Sequence, residues 1–426
     1  MTTNADIVIV GAGAAGIAAA RRLATSGLST MVLEATGRIG GRAWTCDVAG
    51  LHLDLGCGWL HSADRNPWTR VAEAAGFAVD RRTPAWGSQY RDLGFSRAEQ
   101  AAATQAFTDW RQRMMETPPA SDCAADALEP DGEWNAYLQA TIGFLTGAGL
   151  ERISVADYIA YDAASTGCNW RVPAGYGSLV AASLPRSIDL RLSTPVESIE
   201  LDSRAVVLAT PVGAVRVGAA ILTVSTAVLA GGTIMLPRAL DPWRHAAMHL
   251  PLGRNEKLFL EITGDSPFVP ETRVLGNPRD RRTGVYYIRR FGWPVIECFL
   301  GDQGARMVEE MGLAAGYAHA TDQLAALFGS AVCRSLRPLV ASSWSRMTHI
   351  GGAYSYALPG HAAARGDLAR PFEQRLFFAG EATHVHDYST AHGAYDSGVR
   401  AAEEAIAALT SVAGMNATKR GSSGSS

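Results

Sequence analysis

What this chain has little of narrows it first. Of its 38 basic residues only two are lysines, Lys257 and Lys419, and the rest are arginines. Charged residues make up 19% of 426 and the net charge is −3 at pH 7, so the basic excess of a nucleic-acid binder is missing. The six cysteines (Cys46, Cys57, Cys123, Cys168, Cys298 and Cys333) form no CxxC pair. That excludes a zinc ribbon or a disulfide framework and fits a reducing compartment. No Gly-x-Ser-x-Gly nucleophile elbow occurs. Long apolar runs are also lacking. The uncharged stretch from Ile7 to Ala20 follows Asp6 and precedes Arg21 and Arg22, the wrong charge order for a secretory signal. Val217 to Pro237 has about the length of a membrane span, but Gly231-Gly232 and four hydroxyl residues interrupt it, and it reads as buried β-structure with a turn. The expectation is a soluble, cytoplasmic protein without membrane or nucleic-acid partners. Its small, polar end, 413–426, should be disordered.

What is plentiful is glycine, 44 residues, and its placement carries chemistry. Ile7 to Val10 reads as a buried strand. It runs into Gly11-Ala12-Gly13-Ala14-Ala15-Gly16, an Ala-rich helix to about Ser26, and a second strand, Thr30 to Leu33, ending at Glu34. In such a βαβ unit Gly11 permits the tight turn, Gly13 admits a pyrophosphate and Gly16 lets helix and strand pack, while the helix N-terminus offers N–H donors. Glu34 stands where an acid can bond a ribose hydroxyl. Arg38-Ile39-Gly40-Gly41-Arg42 follows at once and adds two guanidinium groups beside the same phosphates. Near the other end, Leu376 to Ala379 is apolar and extended, Gly380 breaks it, and a helix is expected from about Gly393 to Leu409.

The glycine turn followed by R-x-G-G-R resembles the flavin-containing amine oxidase family, which implies FAD. The resemblance continues in Asp54 to His61, in Arg171 to Leu179, in Pro195-Val196, in Leu250 to Lys257, in Trp344 and Gly351 to Pro359, and in Phe378 to Arg400. The last block is similar to the C-terminal signature of animal-type polyamine oxidases. The implied fold is α/β: a Rossmann-like FAD-binding domain (1–62, 170–238, 340–412) interleaved with an α+β substrate domain (63–169, 239–339).

Residue by residue, the resemblance implies cofactor contacts from Gly11, Gly13, Ala15, Gly16, Glu34, Ala35, Arg38, Gly40, Gly41, Arg42, Gly58, Trp59, Val196, Gly380, Glu381, Thr390 and Ala391. Val196 would sit on a strand touching the adenine. Lys257, the one lysine outside the tail, falls at the family's lysine position. There the family holds a water against the flavin. Tyr354 matches an aromatic-cage tyrosine, Thr390 the second cage position, and His61 an active-site histidine able to bond a distal substrate nitrogen. Ala353 stands where mitochondrial monoamine oxidases carry the cysteine bonded to flavin, so FAD should be non-covalent. The implied reaction is hydride transfer from an amine to flavin, with O2 as acceptor and H2O2, aldehyde and a smaller amine as products. A polyamine or other secondary amine is the expected substrate. An L-amino-acid oxidase, which would need an arginine for the carboxylate, or another flavin oxidoreductase of the same superfamily such as a desaturase, and a non-catalytic FAD-stabilised interaction module are the rivals.

Other patterns read as structural. Seven acids between Arg113 and Arg152, with no Lys or Arg among them, read as a solvated face rather than a mouth for a polycation. His245 and His249 lack the carboxylate of HExxH, and His384-x-His386-Asp387 interrupts the flavin block, so no metal is expected.

Overall fold

The computed structural model describes residues 5–203 and 205–422, with side chains to residue 411. Five strands form a parallel sheet in the order Leu376–Phe378, Ala219–Leu222, Ile7–Val10, Thr30–Leu33, Asp189–Arg191. Strands covered on both faces need continuous apolar sequence, and IVIV and AAIL are buried throughout. One face is covered by the helices Ala14–Leu23 and Ala391–Ser422. Their alanines, among them Ala15, Ala19, Ala401 and Ala405, share one core cluster with Ile7 and Ile9. The crossing is tight enough that a Cβ on Gly398 would stand 2.1 Å from the Ala15 carbonyl oxygen. The other face carries a three-stranded antiparallel sheet, whose Ile199, Leu208 and Val215 pack on Val8, Val10 and Met31.

A second five-stranded sheet runs Thr272–Leu275, Val285–Ile288, Val295–Gly301, Asn255–Ile262, Leu336–Ala341, antiparallel throughout. Alternation along each strand sorts its faces. Leu258, Leu260, Val274, Tyr286, Ile296 and Cys298 point into one apolar core. On the opposite face the register aligns Lys257, Phe299 and Val285 in one row and Glu297, Tyr287 and Arg273 in the next.

Between the two parts, Arg365 is fully buried and grips Asp157 with Nε–Oδ1 at 2.6 Å and Nη2–Oδ2 at 2.8 Å. Its guanidinium carbon lies 3.5 Å from the Tyr388 ring centroid. Bidentate geometry and ring stacking make this the kind of buried pair that arginine rather than lysine supports.

Four expectations are corrected. Val217 to Pro237 is a strand, Ala219–Leu222, followed by a helix, Thr226–Ala230, rather than β-structure with a turn. Ser225 caps that helix by accepting from Val228 N, and the β-branched run conceals the cap. The first helix stops at Leu23, short of Ser26, whose hydroxyl donates to the Leu23 carbonyl instead. Val196 lies in the loop before the Ser198–Leu201 strand, not on a strand. The last helix begins at Ala391 and its backbone continues to Ser422, past the expected end near Leu409. Extending an existing helix avoids the cost of nucleating one. Residues 423–426 lie outside the described residues. Among the described residues no helix is long and apolar enough to cross a membrane.

Candidate active site

A cavity of about 550 Å³ runs from the parallel sheet to the antiparallel one. Every site residue named from the sequence lines it except Gly16. Gly16 lies beneath the turn, where an added Cβ would meet the Gly11 carbonyl oxygen at 2.0 Å.

At the nucleotide end, Gly11 has φ +103°, and a Cβ there would sit 2.7 Å from Thr223 Oγ1. The following helix has Gly13 as N-cap, with no capping side chain and no acid in its first turn. Its free N–H groups and positive dipole end are therefore left for an anion. Glu34 Oε2 accepts from Ala12 N at 2.8 Å, and its Oε1 accepts from Thr36 N at 2.9 Å and Thr36 Oγ1 at 2.7 Å. The acid thus ties the glycine turn to the second loop. Arg38 stacks on Trp44 at 4.2 Å. Burial pulls its pKa down, opposed by Glu34. Arg42 donates to the Ala353 carbonyl at 2.6 Å and to Glu381 Oε1 at 2.8 Å. Glu381 is otherwise occupied by Ser355 Oγ and Ser389 N, so it braces Arg42. Glycines that a Cβ would clash with, an uncapped helix start and a buried ribose-height acid fit an FAD.

At the other end Lys257 extends from the Asn255–Ile262 strand. Its Nζ lies 3.0 Å from the Asp54 carbonyl oxygen and 3.1 Å from Glu297 Oε1. The second oxygen of Glu297 is bound by Arg290. Burial opposes ionising Glu297, but Lys257 and Arg290 outweigh it and hold its pKa below the usual value. An ammonium has three N–H donors. Two are committed here, which leaves one N–H on a side chain that lines the cavity.

His61 Nδ1 lies 2.7 Å from Asn169 Oδ1, and Asn169 Nδ2 donates to the Gly167 carbonyl. That amide orientation assigns the proton to Nδ1 and leaves the Nε2 lone pair free. Burial lowers the pKa of His61 to about 4, so the ring is neutral. Tyr354 donates from its hydroxyl to the Phe144 carbonyl at 2.5 Å, which fixes its ring on the cavity wall. Thr390 donates to the Asp387 carbonyl and accepts from Gly393 N. Its hydroxyl therefore serves the start of the last helix, and its cavity contribution is limited to the remaining atoms. Trp59, Trp86 and Tyr287 supply further aromatic wall, with Trp59–Trp86 centroids 4.6 Å apart. Burial pushes the Tyr287 phenol up to about 12 against the pull of neighbouring Arg273.

Sequence reasoning missed Glu297, Arg290, Asn169 and Arg273. Glu297 had a signal, an acid inside the otherwise apolar VIECFLG strand. Arg290 and Asn169 had none, since only tertiary folding brings them to Glu297 and His61.

Three of the seven acids of the 114–151 run meet arginines: Glu129 meets Arg113, Glu133 meets Arg279 and Glu151 meets Arg281. One group with metal-like spacing exists among the described residues, His384, Asp387 and Asp396. Asp387 in it is already paired with Arg65 and His392.

This fold and site define a dinucleotide-binding oxidoreductase. The profile of the family described as flavin containing amine oxidoreductase matches residues 14–100 and 88–406, and the chain belongs to that family. It is an FAD-dependent amine oxidase. Polyamine oxidase 2 of Arabidopsis thaliana is 28% identical over 444 residues, covering 95% of this chain and 88% of its own. The lysine-specific histone demethylase 1B of Mus musculus is 25% identical, covering 95% of this chain and 53% of the demethylase. A pseudooxynicotine dehydrogenase of Pseudomonas sp is 29% identical over 299 residues, 61% of this chain and 59% of that one. A solved structure of putrescine oxidase bound to putrescine matches with a TM-score of 0.74 at 19% identity, covering 96% of this chain and all of that one. At that identity it speaks for the fold.

Proposed function

We propose that the cavity between Lys257, Tyr354 and His61 is where a C–N bond of a small amine is oxidised, with O2 as acceptor. When bound, FAD would supply a two-electron acceptor for a hydride from the amine's α-carbon and, with one further proton from solvent, a route for those electrons to O2, giving H2O2. The substrate-derived iminium adds water and splits into an aldehyde and an amine. The chain's residues do the rest. The aromatic wall strips water from the amine and favours its neutral, reactive form. Tyr354, locked by its hydrogen bond to Phe144, orients the amine against the cofactor. The free Nε2 of His61 accepts a hydrogen bond from a substrate nitrogen. The third Lys257 N–H holds a water beside the cofactor. Asp54 and Glu297 fix the direction of that donor, so little reorganisation is needed when charge develops.

The residues read from the sequence keep their cofactor assignments here. Glu34 would bond the ribose, Arg38 and Arg42 would hold the phosphates, Val196 would pack on the adenine, and Gly58, Trp59, Gly380 and Ala391 would hold the flavin, a reading supported by the cavity they share. The division into a cofactor region (1–62, 170–238, 340–412) and a substrate region is part of the same reading, supported by the separate strand membership of the two sheets. So is a cytoplasmic location, supported by six free thiols.

The observation that carries the proposal is the placement of Lys257, on a strand of the antiparallel sheet while Glu34 follows a strand of the parallel one, both lining the same cavity. The test is anaerobic mixing of the yellow holoenzyme with amines, followed by air. Bleaching of the flavin by an amine and recovery with peroxide formation is expected. A flavin that no amine bleaches would overturn it.

A further inference from the structure

We propose that the substrate is an amine with a carboxylate at its remote end, and that Arg273 binds that carboxylate. The inference rests on the amine-oxidising reading above and adds the substrate class.

The case begins with charge. Three carboxylates line the cavity: Glu34, Glu297 and Glu381. Glu34 is bonded to Ala12 and Thr36, Glu381 to Arg42, and Glu297 to both Lys257 and Arg290. Glu297 and Glu381 thus already face cations, and Glu34 is tied to the glycine turn on the parallel sheet's side, so no unpaired carboxylate on the antiparallel sheet is left to receive the second ammonium of a diamine or polyamine. Arg273 is in the opposite condition. It lines the same cavity, forms no side-chain hydrogen bond or ion pair among the described residues, and its Nε is buried without an acceptor. A guanidinium in that state lacks an acceptor that a carboxylate matches in shape and charge. The neighbouring Trp86 indole N–H is likewise buried and closes no hydrogen bond of normal geometry.

Geometry sets where the carboxylate would lie. Arg273, Tyr287 and Glu297 occupy one cross-strand row, beside the row of Val285, Phe299 and Lys257. Arg273 is three strands from Lys257 in the order of the sheet, a backbone separation of about 14 Å at about 4.8 Å per strand. Both side chains project over the same face and shorten that gap. A chain of a few methylenes can therefore lie across Tyr287 with its amine beside the Lys257 end and its carboxylate at Arg273. An amino acid with both groups on one carbon is too short for this span.

The experiment compares matched probes on the holoenzyme: 6-aminohexanoate, 1,6-diaminohexane and hexylamine, with the four- and eight-carbon series alongside. Anaerobic flavin reduction gives kcat/KM-type rates, and calorimetry with hexanoate, which cannot be oxidised, gives binding without turnover. The amino acid should exceed hexylamine in kcat/KM by about 10- to 150-fold, the range of one charged hydrogen bond. Arg273→Met should erase that advantage and hexanoate binding, lowering the 6-aminohexanoate rate far more than the hexylamine rate. Arg273→Glu should turn the preference toward the diamine. A diamine preferred by the wild type, or an amino-acid rate indifferent to Arg273→Met, overturns the carboxylate subsite while hexylamine turnover keeps the amine reading standing. Failure of all three probes to reduce the flavin overturns both.

Discussion

Lys257 Nζ and Glu297 Oε1 lie 3.1 Å apart, both side chains less than a tenth exposed, and Arg290 holds the other oxygen of Glu297. One carboxylate thus serves two buried cations. Glu297→Gln keeps the shape and removes the charge, leaving the Lys257 ammonium and the Arg290 guanidinium around a neutral amide in low dielectric. Removing one member of a buried pair typically costs about 3–5 kcal/mol. Urea unfolding of the holoenzyme should show a loss of that size. Adding Arg290→Met should recover part of it, because the uncompensated charge is then smaller. A single variant as stable as wild type would mean that water reaches and screens the trio.

Lys257→Met should leave the fold and bound FAD intact, since Glu297 keeps Arg290 as a partner. It removes the one N–H left uncommitted on a side chain that lines the cavity. Loss of one preorganised donor in such a site costs about 100- to 1,000-fold in rate. Stopped-flow, with anaerobic reduction and reoxidation by oxygen followed separately, locates the loss. Lys257→Arg should rescue poorly, because a planar fork cannot satisfy the Asp54 carbonyl and Glu297 from the same point. Both half-reactions within a few-fold of wild type would remove Lys257 from the mechanism.

The glycine-turn half of the cavity was legible in the sequence because its geometry is local. Gly11, Gly13, Gly16 and Glu34 stand within one βαβ unit, and spacing alone places them. Lys257 was legible by rarity in an arginine-rich chain. The substrate half was not, because its wall is a row across strands that are distant in sequence. Arg273, Tyr287 and Glu297 become neighbours only through strand register. The same holds for Asp157 and Arg365, 208 residues apart. The one local cue, an acid in an apolar strand, reads equally as a surface position on a half-buried sheet.

Non-covalent FAD is expected, so acid or urea should release free flavin from a yellow protein. Ala353 offers no thiol, and the cavity's own cysteine, Cys57, has its thiol pushed up to about 12, chiefly by burial. A thiol in that state is a poor nucleophile. Glu34→Ala should weaken FAD retention by roughly 1.5–3 kcal/mol for the lost charged hydrogen bond. It should lose somewhat more because Ala12 N and Thr36 lose their acceptor too. Ultrafiltration at graded urea separates the two effects. Flavin that stays with the denatured chain, or unchanged retention in Glu34→Ala, would contradict these assignments.

His61 sets a pH dependence whose sign follows from burial. Its pKa falls from 6.5 to about 4 in the folded chain, chiefly through burial, with Asn169 pulling the other way. The unfolded chain therefore binds the proton first as pH drops. The stability that His61 contributes as a neutral ring is complete above about pH 6.5 and is lost as pH falls from there through about 4. The ring borders an open cavity, where water screens part of the effect, so the loss should amount to about 1–2 kcal/mol. Urea midpoints of wild type and His61→Gln between pH 4 and 8 should diverge in that window, with the variant flatter. Over the same variants, kcat/KM for an amine should show no limb near pH 6.5 that disappears with His61, because the ring stays neutral throughout the working range. A wild-type limb at that pH, abolished in His61→Gln, would mean that the imidazole is solvated and protonated, and its Nε2 could not then accept from the substrate nitrogen.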